Sequence, residues 1–209
     1  ESYERTIELD DATSYALLRI GKCHERLGNT ALAIKYYNQT VHEDPLLDKG
    51  WIAITDFYVR EKNYQKALFY VNKALAIDNQ NQLYWKRYAT INKQMNFFEE
   101  AEFGYRKAVE FGDYQLDTWL FWVDILQFLG EFDSAIQTLL QATEYFPEEN
   151  EIEYRLAGLY FMVQDSTKAK FHLSNGLRLN FDNYILIEDL FPMIWEENTV
   201  QNYIAKHKK

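Results

Sequence analysis

The groups best suited to nucleophilic, acid–base or metal chemistry are four histidines, one cysteine and a cluster of carboxylates. His24, His42, His172 and His207 are scattered through the chain without metal-ligand spacing. Cys23 precedes His24 directly, but consecutive helical side chains point roughly 100° apart, so the two do not form a nucleophile and its base. A lone thiol also excludes an internal disulfide and a cysteine-built zinc site. Glu99, Glu100 and Glu102 suit the first turn of a helix, where carboxylates meet the positive end of the dipole, better than a paired acid and base. There is no Gly-rich phosphate loop, no His-Glu-x-x-His and no Gly-x-Ser-x-Gly. The expectation is a protein that is not an enzyme, with no catalytic residues, no cofactor and no metal.

Charge carries more information. Lys and Arg number 22 against 32 Asp and Glu, a net charge of −10 that opposes nucleic-acid binding through phosphate neutralisation. The imbalance is local: residues 116–149 hold seven acids and no base, and no Lys or Arg occurs between Lys107 and Arg155. Asp117, Asp124, Glu131, Asp133, Glu144, Glu148 and Glu149 either form a solvated outer surface or steer a basic partner.

The elements that position these groups follow from composition and period. With 209 residues, 47% of them hydrophobic, the chain can bury a sizeable core, and only 8 Gly and 3 Pro argue for helices. No apolar run reaches the roughly 18 residues of a membrane span, so no membrane insertion is expected. No signal peptide is visible. Cysteine scarcity suits the cytoplasm, or the periplasm if a signal sequence has been removed. Ala33, Ala67, Ala101, Ala135 and Ala169 recur every 34 residues. Seven residues later stand Thr40, Ala74, Ala108, Ala142 and Gly176, all small. Sixteen before each alanine stand Leu17, Trp51, Trp85 and Trp119, with Glu153 breaking the series. Within each period the apolar residues keep helical spacing, and polar breaks such as Leu27-Gly28-Asn29-Thr30 divide it into two antiparallel helices. Small residues let the pair approach closely. One hairpin cannot bury its apolar face alone, so neighbours must stack.

These offsets resemble the tetratricopeptide repeat (TPR), in which a large apolar residue, Leu-Gly, Tyr, Ala, an aromatic, Ala and Pro recur. The resemblance covers 14–183 in five repeats: 14–47, 48–81, 82–115, 116–149 and 150–183. Departures are Glu153, Thr55, Val123 and prolines missing from repeats two, three and five. It implies an all-α fold, a right-handed superhelical solenoid with a concave groove lined mainly by the first helix of each hairpin. Residues 1–13 read as the second helix of a truncated preceding repeat, or else as a lone capping helix. Residues 184–209 read as capping helices, with Phe191 where a small residue belongs and Pro192 after it, the whole forming one continuous solenoid domain.

The family's inward-facing positions give a candidate partner-binding groove. Its basic part is Arg19, Lys22, Arg26, Lys49, Arg60, Lys86, Arg87 and Lys93. Its second part, apolar and acidic apart from Arg155, is Phe121, Asp124, Phe128, Tyr154, Arg155 and Phe161. The bland alternative is that basic residues at the thirteenth position of a repeat are common consensus and that Phe128 and Met162 pack between helices. The chaperone-binding branch's carboxylate clamp is disfavoured: the frame starting at the first repeat offers Leu18, Lys22, Ala53, Leu83 and Arg87, of which only Arg87 fits, the frame starting at the third offers Lys86, Thr90, Phe121, Glu151 and Arg155, of which two fit, and from the second none fits. The expected function is a non-catalytic protein–protein interaction module or scaffold that holds a peptide with acidic and apolar segments. The rivals are the interaction arm of a larger enzyme and a self-associating assembly scaffold.

Overall fold

The computed structural model describes residues 13–196 and 198–207. Ten helices form five hairpins. The first helices are α1 (Thr13–Arg26), α3 (Asp48–Arg60), α5 (Gln82–Gln94), α7 (Leu116–Phe128) and α9 (Asn150–Met162). The second helices are α2 (Thr30–Glu43), α4 (Tyr64–Ile77), α6 (Phe98–Glu110), α8 (Phe132–Ala142) and α10 (Ser166–Leu179). From α4 onward, each helix begins 34 residues after its counterpart in the preceding hairpin. A 3-10 turn (Phe181–Tyr184) leads to α11 (Ile185–Leu190), α12 (Pro192–Trp195) and α13 (Asn198–His207), and no strand occurs among the described residues. The expectation for residues 1–13 falls, apart from Thr13, outside the described residues.

The recurring small residues do what their spacing demands. Ala67, Ala101, Ala135 and Ala169 are completely buried and Ala33 nearly so, with Thr40, Ala74, Ala108 and Ala142 buried two turns further along the same helical face. Each hairpin turn is built the same way. Gly28, Lys62, Asn96, Gly130 and Gln164 all take positive φ, between 56° and 77°. The next residue's N–H then reaches a carbonyl five residues back, as in Asn29 to His24 and Asp165 to Tyr160. This left-handed cap satisfies carbonyls left over at the helix end. Two of the following helices are started by side-chain caps, at Asn63, which accepts from the Lys66 N–H, and at Asp165, which accepts from the Lys168 N–H.

Packing contacts divide the chain into two compact units, the first ending at Asp113 and the second beginning at Tyr114. In the N-terminal unit α1 to α6 pack in chain order. Indole hydrogen bonds join consecutive hairpins there: Trp51 Nε1 donates to the Pro45 carbonyl at 2.9 Å, and Trp85 Nε1 to the Asn79 carbonyl at 2.8 Å. In the C-terminal unit α7 to α10 pack likewise, and the 3-10 turn, α11 and α12 then close over α9. As a result Ile152 and every residue from Tyr154 to Phe161 are buried.

Candidate functional site

In the N-terminal unit the expected groove residues fall into two groups. Arg19, Lys22, Arg26 and Lys49 are exposed. Arg19, Lys22 and Lys49 line a cleft of about 390 Å³ together with Tyr15 and Leu18. Leu18 is buried beneath it, whereas Tyr15 presents half its surface to solvent. A smaller recess of about 130 Å³ on the same helix is lined by Arg19, Lys22, Cys23 and Arg26. One helix supplies most of these cations because positions 19, 22, 23 and 26 follow helical three- and four-residue spacing. Among the described residues, Lys22, Arg26 and Lys49 have no carboxylate within ion-pair distance.

The second group is already engaged. Arg87 Nε and an amino nitrogen hold the two Asp56 oxygens at 2.6 and 3.0 Å, a bidentate pair that raises the guanidinium pKa further. Arg60 pairs with Glu25, and its own burial lowers its pKa. Glu25 also accepts from the Tyr37 hydroxyl at 2.9 Å. Burial, assisted by the negative charge of Asp56, pushes Tyr37 up to about 12. Lys86 stands 3.8 Å from the buried Asp113 carboxylate, and Lys93 is half-buried. Arg60, Lys86 and Arg87 are therefore bound within the unit and are not an open cationic lining.

The C-terminal unit departs further from the expectation. Phe128 is 67% exposed and Phe121 is exposed. Asp124 binds Arg155 at 2.6 Å, and Glu151 holds the same guanidinium at 2.9 Å. Arg155, Tyr154 and Phe161 are buried, so the expectation that they face a partner is corrected. Tyr154 instead donates from its hydroxyl to the Asn180 carbonyl at 2.7 Å, and burial raises its pKa. The cause is the C-terminal segment. Phe191 lies so close over Gly158 that a Cβ there would collide with its ring.

Two polar contacts were not anticipated. Tyr84 donates to Asp48 at 2.6 Å across consecutive repeats. Glu153 accepts from His172 Nδ1 at 2.8 Å and from the Asn175 amide at 3.2 Å. The second had a signal: a carboxylate at the position held by Trp in three other repeats needs a polar partner. Among the described residues no group of His, Cys, Asp and Glu could hold a metal, and no helix is long and apolar enough to cross a membrane.

Profiles described as "Tetratricopeptide repeat" match residues 15–46, 49–81 and 122–169, together more than half of the chain. The chain belongs to the TPR family. No curated protein sequence matches it. Among solved structures it is similar to YrrB, described as "a TPR protein with an unusual peptide-binding site": TM-score 0.75 at 17% identity, covering 90% of this chain and 97% of that one. It is also similar to the MamA protein, with TM-score 0.70 at 14% identity, covering 86% of this chain and 95% of that one. At these identities the likeness shows the fold, an all-α solenoid of TPR hairpins.

Proposed function

We propose that this TPR protein is a non-catalytic protein-interaction module whose N-terminal unit binds an acidic segment of a partner. The observation that carries this reading is the cleft where Arg19, Lys22 and Lys49 surround Leu18 and Tyr15. Arg can meet a carboxylate with a two-pronged hydrogen bond, and Lys adds point charge. Tyr15 offers a rigid aromatic surface for an apolar neighbour in the same segment. The hairpins hold these residues in place before binding, so little ordering entropy is lost by the protein. YrrB, of the same fold, is described by its peptide-binding site, which agrees with this use. The absence of any catalytic constellation in the sequence is in keeping with a holding role.

The test is fluorescence anisotropy of a labelled peptide with a Phe between Asp-Glu pairs, titrated with the full chain. Lys22→Glu combined with Lys49→Glu is expected to weaken binding by about tenfold or more, with an affinity that falls as salt rises. An unchanged Kd in that double variant would rule out the cleft as the binding site.

A further inference from the structure

A second recess lies in the C-terminal unit, apart from the cationic cleft. It has a volume of about 250 Å³ and is lined by Phe132, Met162, Leu190, Phe191, Pro192 and Met193, with Gln127 at one side. It forms because α11 stops at Leu190 and the chain turns at Phe191-Pro192, where the repeat would have continued as helix. Phe191 points inward onto Gly158, leaving Met193 75% exposed. Methionine thioethers adapt to varied apolar shapes, and two of them stand here. The volume is below the roughly 300 Å³ at which sites for drug-sized ligands begin, and suits one or two side chains of a partner.

Charge identifies the partner. Glu131 and Asp133 flank Phe132, and Glu188 and Asp189 precede Leu190. All four are exposed, and among the described residues none is paired with a cation. The repeat that supplies Gln127 and Phe132 contains no Lys or Arg at all. An apolar recess whose lining residues Phe132 and Leu190 are bordered along the chain by exposed, unneutralised carboxylates fits a segment of opposite design, and like charge in its flanks would be repelled.

The geometry points to a second docking site, in which the recess between Phe132 and Met193 takes an apolar side chain of a protein segment whose flanks are Lys and Arg. The apolar anchor supplies most of the affinity and the carboxylates select the flanking charge and speed the encounter. This site is independent of the acidic-segment cleft and selects the opposite kind of sequence.

The probe is a short fluorescein-labelled peptide with a Leu-Phe-Leu core between Lys-Lys pairs, compared with one carrying Glu-Glu pairs, each titrated with the full chain. The Lys peptide is expected to bind saturably and the Glu peptide about tenfold or more weaker. Met193→Asp should weaken the Lys peptide by about tenfold with an unchanged helical circular dichroism spectrum, while Met193→Leu retains binding. Glu131→Gln with Asp133→Asn should reduce both the affinity and its salt dependence. Absence of saturable binding, equal binding of both peptides, or a Met193→Asp protein that binds like the parent would each overturn the proposal.

Discussion

Arg87 and Arg155 occupy the same position in their repeats, and each reaches an aspartate 31 residues earlier, Asp56 and Asp124. The contact is the same and the setting is not. The Arg87 side chain is 37% exposed, whereas that of Arg155 is 7% exposed because the C-terminal segment covers α9. An ion pair in water contributes little, since solvent screens it and two long side chains must be held still. The covered guanidinium of Arg155 has little solvent to fall back on, although Asp124 is as exposed as Asp56. Losing one partner strands a charge in a low-dielectric interior. The N-terminal unit therefore presents its first helices to solvent, while the C-terminal unit has turned its last one into core.

The largest expected effect separates the two pairs directly. Asp124→Ala should cost about 2–3 kcal/mol, the low end for a broken buried pair because Glu151 still holds Arg155. Asp56→Ala should cost less than about 1 kcal/mol. Urea unfolding midpoints measure both, and equal losses would abolish the distinction between the units.

A second change probes what the units share. Ala101→Leu and Ala135→Leu each place a branched side chain at a fully buried position and should cost about 1–3 kcal/mol. A loss in one unit only would mean that the hairpins are not packed alike.

The third prediction concerns alkaline pH. The Tyr37 hydroxyl is held neutral by burial, with a pKa raised to about 12. Its unfolded value is about 10, so its contribution is complete below pH 10 and is lost as pH rises toward 12. Stability measured across that range should fall less steeply for Tyr37→Phe than for the parent; parallel curves would contradict the assignment.

The smallest effect lies in the turns. Gln164→Gly and Lys62→Gly remove a side chain from a left-handed backbone and should each stabilise by a few tenths to about 1 kcal/mol. Gly28→Ala should cost a similar amount, read as opposite shifts in melting temperature.

The hairpins were legible because apolar spacing and small residues are local facts that repeat every 34 positions. The exposed cations of α1 were legible for the same reason. The engagement of Arg60 and Arg87 was not, because their partners Glu25 and Asp56 lie on neighbouring helices. A groove pattern names inward-facing positions and says nothing of which of them pair with one another. Tyr154, Arg155 and Phe161 were misplaced for a different reason. Tyr154 is drawn in by Gly176 and Asn180 at the end of its own hairpin, and Arg155 and Phe161 lie on the helix covered by the C-terminal segment, which follows no repeat and whose docking on α9 no periodicity encodes.

Phe191 gives that docking a consequence for growth. A linear stack of identical pieces has no inherent length, because whatever face accepted one piece is offered again by the next. Here the benzene ring seated on Gly158 occupies the landing place for another hairpin in the same register. Lengthening the array past its fifth hairpin would first require evicting that ring, so one side chain acts as the molecule's stop codon for architecture.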